Sequence, residues 1–141
     1  MFKPTLLAAA IAAGIFANHA AEAGDLLTRA PTPADTDDVY FLAQLVVEDF
    51  ETFQAEYQPG TLMKLNETNA ELLAATPMAQ AIEGEWQSNW TVLLRFENQL
   101  DFETFYEEQG YREKLIPVRQ QVTSLNNIVL LPAFDPAQFG G

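Results

Sequence analysis

Apolar residues in the middle of the chain recur with a period of two or in unbroken runs, and both patterns are typical of strands. The run 39–47 is almost continuously apolar, as expected for a strand that is covered on both faces. Residues 90–96 alternate with a clear period of two, and 127–131 is a short apolar run. A further apolar stretch, 71–83, is broken at Pro77. We therefore predict four strands, the second of them long or bent.

Two segments in which apolar residues recur at helical spacing lie between the predicted strands, one between the first and second strands and one between the third and fourth. Asp49 is a suitable N-cap for the first helix, which we expect Pro59 to interrupt before a further turn ends near residue 66. Asn98 and Asp101 have the spacing of a capping box at the start of the second helix. A break and a second helical piece then follow within 110–118.

The resulting order of strand, helix, strand, strand, helix, strand predicts an α+β fold of the ferredoxin-like βαββαβ plan. Its core is a four-stranded antiparallel sheet with two helices on one face. Because the predicted first, third and last strands are apolar on both faces, the second face of the sheet also needs a cover. A second copy packed sheet to sheet is the simplest one, so we expect a homodimer. A monomer whose C-terminal tail folds over this face is the alternative.

The chain divides by composition into four segments. Residues 1–23 have a basic start, an apolar run of about a dozen residues and a small-x-small end, which predicts a bacterial signal peptide cleaved after Ala23. Residues 24–38, rich in Pro and Asp, are expected to be a flexible linker, followed by the domain (39–132) and a tail (133–141). We therefore expect a periplasmic or secreted protein. A retained anchor is the weaker reading, because the apolar run is too short to span a bilayer.

Composition removes several classes of chemistry. The 141 residues are 48% hydrophobic and carry a formal charge of −13, which favours one folded domain and argues against nucleic-acid binding. There is no Cys, and the one His, His19, lies in the predicted signal peptide. The mature protein therefore cannot use serine or cysteine catalysis with an imidazole base, and it cannot form a zinc site from Cys or His. We expect neither a metal nor a cofactor.

Several short motifs together resemble the domain of unknown function 1330 family of the dimeric α+β barrel superfamily. The resemblance runs from Val39 to Pro132 and includes the helix start at Asp49. It depends mainly on Glu83-Gly84-Glu85-Trp86, Phe105-Tyr106, Tyr111 and Arg119. It implies the dimeric barrel fold. The interval between Tyr111 and Arg119 is one residue longer than is usual in the family, and one residue rotates a side chain by about 100° around a helix.

Arg95 is the most informative polar residue, because it interrupts an otherwise apolar strand. A buried guanidinium needs a carboxylate or a ligand anion. One hypothesis is an anion-binding cleft. The other, which we weigh more heavily, is a structural ion pair with a residue such as Glu83 or with the other subunit.

Four further residues are candidates for ligand binding. Gln44 interrupts the first strand, and it either joins Arg95 or satisfies a backbone group. Glu83 is a potential base or a turn residue, and Tyr111 with Arg119 is expected at the rim of a site. Tyr57 and Tyr106 are expected in the core. Two functions remain open: binding of a small, partly apolar anionic molecule, with or without cofactor-free catalysis, or a non-catalytic structural dimer.

Overall fold

The protein folds as an antiparallel sheet with helices packed on one face. The computed structural model describes residues 25–140, so the predicted signal peptide lies outside the described residues. The strands are β1 (Val39–Val47), β2 (Glu71–Thr76), β3 (Trp90–Phe96) and β4 (Thr123–Pro132). Helix α1 spans 50–66 in three consecutive segments, Phe50–Thr52, Phe53–Tyr57 and Gln58–Asn66. Helix α2 is Gln99–Tyr106, and α3 spans 111–122 as Tyr111–Leu115 and Ile116–Val122.

All strand pairs are antiparallel, in the order β2-β3-β1-β4. Phe41 in β1 lies opposite Leu94 in β3 and Leu130 in β4. This arrangement confirms the predicted α+β fold and its four-stranded antiparallel sheet.

Alternate residues of β1 form the centre of the core. Val39, Phe41, Ala43, Leu45 and Val47 are buried under the helices, while the residues between them are half-buried on the second face. The ring of Phe41 packs against Phe102 and Tyr106 of α2. Full burial of such a side chain stabilises the fold by about 1.5–3 kcal/mol. The sheet therefore has one face fully covered by helices.

Both helix starts predicted from the sequence are confirmed. The Asp49 carboxylate accepts a hydrogen bond from the backbone N–H of Thr52 at 3.1 Å. The Asn98 side chain accepts one from the backbone N–H of Asp101 at 2.8 Å. Each side chain satisfies a donor that the first turn of a helix leaves without a partner.

The predicted interruption at Pro59 is wrong, because α1 runs through it. The turn before the proline is a π turn, in which the N–H of Gln58 bonds to the carbonyl of Phe53. Proline has no N–H and cannot donate the i→i−4 hydrogen bond of an α-helix, and a π turn replaces i→i−4 bonds by i→i−5 bonds. Helix α3 uses the same device before Pro117, where the N–H of Ile116 bonds to the carbonyl of Tyr111.

The second strand is shorter than predicted. β2 ends at Thr76, and 77–89 has no regular strand or helix. Pro77 has no N–H with which to continue the ladder. Gly84 in this loop has φ +77°, a backbone conformation that favours glycine. The fourth strand is longer than the predicted 127–131, because its N-terminal part follows α3 without a loop.

The expectation that the fold begins only after residue 38 is also wrong. Leu26, in the short 3-10 turn Leu26–Thr28, is buried in the core, and its N–H donates to the side chain of Asn66. Further on, Thr32 bonds to Glu71 through both its N–H and its hydroxyl. This segment is held by one buried apolar side chain and a few polar contacts. Such contacts leave no repeating apolar pattern in the sequence, so the segment looks like a linker.

The second face of the sheet is largely apolar and partly open. Val129 and Leu131 of β4 are 47% and 44% exposed. In the tail after β4, Phe134 and Phe139 stack on each other and are mostly exposed.

Candidate functional site

A cavity of about 400 Å³ lies between the sheet and the helices. Its walls are mostly apolar and come from both layers and from the N-terminal segment, including Leu26, Phe41, Ala43, Leu62, Leu65 and Val92. Its volume falls in the range of small-molecule sites, which begins at about 300 Å³.

The mouth of the cavity is at one edge of the sheet. Residues 73–75 of the edge strand β2 line the cavity and are exposed, and the half-buried Gln58 and Thr61 of α1 line it as well. The inner end carries Arg119, which also bonds to β4, the strand at the opposite edge. The cavity therefore runs across the sheet, and Arg119, at the end away from β2, is the one charged residue that lines it among residues 25–140.

Arg119 is held by neutral groups. Its Nη1 donates to the hydroxyls of Tyr57 at 3.1 Å and Tyr111 at 3.0 Å, and its Nε donates to the Asn126 side chain at 2.9 Å. The guanidinium also lies 5.7 Å from the ring centre of Tyr57, within range of a cation–π contact. Within residues 25–140, no carboxylate lies within 4 Å of it.

The two tyrosines are bonded to each other. Their hydroxyl oxygens are 2.5 Å apart, and both side chains are buried. Burial raises the pKa of the Tyr111 hydroxyl well above its usual range, so the phenol keeps its proton. Burial opposes the charge of Arg119, but the neighbouring phenol oxygens outweigh it and raise the pKa of the guanidinium. At neutral pH the site therefore holds the Arg119 cation beside the protonated phenol of Tyr111.

The π turns bring these groups together. On a regular α-helix, side chains eight residues apart are separated by about 80°, so Tyr111 and Arg119 would face different directions. The π turn at Tyr111–Leu115 absorbs one residue and leaves them on nearly the same side. The extra residue in the sequence interval is therefore accommodated locally.

Close approach of two helices brings Tyr57 to Tyr111. A Cβ on Gly60 of α1 would lie 3.0 Å from a methyl carbon of Leu115 in α3. Only a glycine allows this separation without a shift of the leucine. The crossing point lies three residues after Tyr57, so α1 and α3 present their hydroxyls to one guanidinium.

Arg95 lies on the opposite face of the sheet. Its Nη2 donates to the Glu71 carboxylate at 2.7 Å and to the Thr32 carbonyl at 2.6 Å, and its Nε is 3.6 Å from an oxygen of Asp38. Burial opposes ionisation of Glu71, but hydrogen bonds from Thr32 and Arg95 outweigh it and lower the pKa of the carboxyl. Arg95 is thus an ion-pair residue that fastens the N-terminal segment, with partners other than Glu83.

The remaining predicted residues are not brought together. Gln44 accepts a hydrogen bond from Asn127 on the second face. Glu83 is exposed in the loop after β2. Tyr111 and Arg119 join each other, but at the buried end of the cavity and not at a rim.

Tyr57 and Asn126 are part of the site and were not predicted as ligand-binding residues. The available signal for Tyr57 was a hydroxyl on an apolar helix face, which needs a partner when buried. A second signal was the proline two residues after each π segment, at Pro59 and Pro117.

Comparisons with known proteins agree with this fold. The chain is similar to the crystal structure of a protein of unknown function from Rhodopseudomonas palustris, with a TM-score of 0.58 and 12% identity over 87% of this chain and 94% of that one. No curated protein matches the sequence. Within residues 25–140, no helix is both long and apolar enough to cross a bilayer. The family model for DUF1330, a domain of unknown function, matches residues 38–133, so the chain belongs to the DUF1330 family.

Proposed function

We propose that the protein binds a small, partly apolar anionic molecule in the cavity between its sheet and its helices. The observation that carries the proposal is Arg119, a cation that is only 3% exposed, lies at the inner end of an apolar cavity and has no carboxylate partner among residues 25–140. A buried charge is costly unless it is paired. A ligand anion would supply the missing charge.

The proposal is of binding and not of acid–base catalysis by the protein. No Asp, Glu, His or Lys is found among the described residues that line the cavity. The raised pKa of Tyr111 makes this phenol a poor base at neutral pH. The polar end of the cavity can donate hydrogen bonds to a ligand and hold a negative charge.

A thermal-shift screen of aliphatic and aromatic carboxylates tests this function. Ligands that bind only the native state raise its melting temperature. The stabilisation should be lost in Ala43→Leu, because Ala43 lines the cavity from the central strand and a larger side chain fills it. Arg112→Met, an exposed change on α3, is the matched control and should respond like the wild type. If no compound stabilises the wild type, and Ala43→Leu is the more stable protein, the cavity has no ligand.

The second proposed function is a non-catalytic homodimer formed through the open sheet face. It is favoured by the exposed Val129 and Leu131, which leave an apolar patch on a face without helices. Light scattering coupled to size exclusion should give twice the monomer mass, and Val129→Lys with Leu131→Lys should give the monomer. A wild-type monomer at micromolar concentration contradicts this proposal. The dimer and the ligand site are on different faces, so the two proposals are tested separately.

We also propose that the protein is exported and cleaved after Ala23, because residues 1–23 have the three parts of a signal peptide. The intact mass of the protein from its native host tests this directly. The expected N-terminus is Gly24. A protein that retains Met1 in the cytoplasmic fraction contradicts it.

A further inference from the structure

We propose that the ligand is an extended monocarboxylate that binds with its carboxylate against Arg119 and its apolar body pointing to the mouth at β2. This inference deepens the proposed function and depends on it. It specifies the charge of the ligand, its direction and its approximate length.

The hydrogen-bond inventory at the inner end specifies an acceptor. The pair formed by Tyr57 and Tyr111 uses one phenolic proton, and the oxygens of both already accept from Arg119. The second phenolic proton therefore has no acceptor in this set of bonds. Apart from an interaction of the guanidinium with the Tyr106 hydroxyl, the Nη2 of Arg119 makes no hydrogen bond within 3.5 Å to residues 25–140. The second phenolic proton and the guanidinium N–H groups are donors, and a carboxylate with two acceptor oxygens matches them.

The charge of the site specifies a monoanion. Arg119 is the one charged residue among the described cavity walls, and it is surrounded by neutral phenols and an amide. A phosphate monoester would bring nearly two charges to one cation. An amine would place a second cation beside the guanidinium. A single ionised carboxylate balances the site.

The direction of the ligand follows from where the polar groups are. The cavity passes beneath all four strands, from the exposed residues of β2 to Arg119, which is bonded to Asn126 of β4. Three strand spacings of about 4.8 Å give a path of about 14 Å. Between its ends the walls are Leu, Val, Ala, Ile and aromatic side chains. A charged group is favourable at the inner end or in solvent beyond the mouth, and costly between them.

The cavity volume limits the size. At about 30 Å³ for each non-hydrogen atom, the share of a water molecule in the liquid, 400 Å³ corresponds to about 13 atoms. Octanoate, with ten, fits within this volume. Its alkyl chain would contact Leu62 and Leu65 of α1 and Leu26 of the N-terminal segment, all of which line the cavity.

Calorimetric titration of the whole processed protein with four compounds of one chain length tests the charge. Octanoate should bind, while octanamide, octanol and octylamine should bind at least tenfold more weakly. Arg119→Met should weaken octanoate about 10- to 100-fold, the usual effect of a hydrogen bond to a charged group. It should leave octanol unchanged, and Arg112→Met is again the control. Arg119→Lys, which keeps the charge, shows whether the variant site still folds and should recover part of the affinity.

Two dicarboxylates test the direction. Hexanedioate is shorter than the path, so its second carboxylate would lie among apolar walls and it should not bind. Tetradecanedioate is long enough to reach solvent beyond β2 and should bind. Leu73→Lys at the mouth should strengthen tetradecanedioate and change octanoate little.

The outcomes separate this inference from the proposed function. If octanol binds as tightly as octanoate and Ala43→Leu abolishes both, the cavity binds ligands but the carboxylate inference is wrong. If hexanedioate and tetradecanedioate bind equally, the proposed direction is wrong. If none of the compounds binds, and Ala43→Leu is stabilised, the binding function itself fails.

Discussion

Two buried arginines on opposite faces of one sheet have contrasting environments. Arg95 is 8% exposed and contacts the carboxylates of Glu71 and Asp38, so its charge is compensated within the chain. Arg119 is 3% exposed and contacts two phenols and an amide. Burial alone therefore does not distinguish a structural arginine from a ligand-binding one. The charge of the neighbouring groups does, because only an uncompensated cation gains from a ligand anion.

The largest expected effect is on stability. Arg95→Met leaves Glu71 and Asp38 buried without their cation, and should lower the free energy of unfolding by about 3–5 kcal/mol. Arg119→Met leaves only neutral groups and removes an uncompensated charge, so its cost should be no more than about 2 kcal/mol. Urea unfolding at fixed protein concentration measures both. Equal losses would mean that the two environments do not differ in the way described.

Glu71→Gln tests the ion pair between Arg95 and Glu71 through the pH dependence of stability. Because the pKa of Glu71 is lowered in the folded state, its contribution to stability is present above its unfolded pKa, about 4.3, and is lost as the pH falls below it. The variant should be less stable by about 1–3 kcal/mol at pH 7. It should also lose less stability than the wild type between pH 5 and pH 3, values that bracket that pKa. Parallel pH profiles for the two proteins would argue against the ion pair.

Tyr111→Phe tests the Arg119 side at the other end of the pH scale. Because the pKa of Tyr111 is raised by folding, its contribution is present below the unfolded value of about 10 and is lost as the pH rises above it. The variant should cost about 1 kcal/mol at pH 7 and decline less steeply above pH 10. Melting temperatures across this range provide the measurement.

The smallest expected effect tests the π turn. Removing the exposed Glu113 together with Pro117→Ala should restore a regular helix in which Tyr111 and Arg119 are seven residues apart, about 20° from the same direction. Octanoate affinity should then stay within about threefold of the wild type, since both groups keep their side of the helix. Inserting an alanine after Glu113 instead rotates Arg119 by about 100° and should abolish binding. Equal affinity in both variants would show that the helix phase does not position Arg119.

Local patterns accounted for most of the fold. The strand 90–96 was predicted with the bounds that the structure shows, because alternation is a property of neighbouring residues. The helix starts at Asp49 and Asn98 were predictable for the same reason, since a cap acts over three residues. The N-terminal segment was not, because Leu26 reaches the core through contacts with α1, and Asn66 lies 40 residues away.

The sequence by itself determined which residues are apolar, where strands and helices begin, and that two arginines had to be explained. Only the tertiary structure decided which of them is paired. Arg95 meets Glu71 across 24 residues and Thr32 across 63, and Arg119 meets Tyr57 across 62. A helical or strand pattern describes the direction of a side chain relative to its own element. The charge of the groups around that side chain depends on the sheet register, on where the helices cross and on the rotation that a π turn adds to a helix. All three depend on the packing of the whole chain.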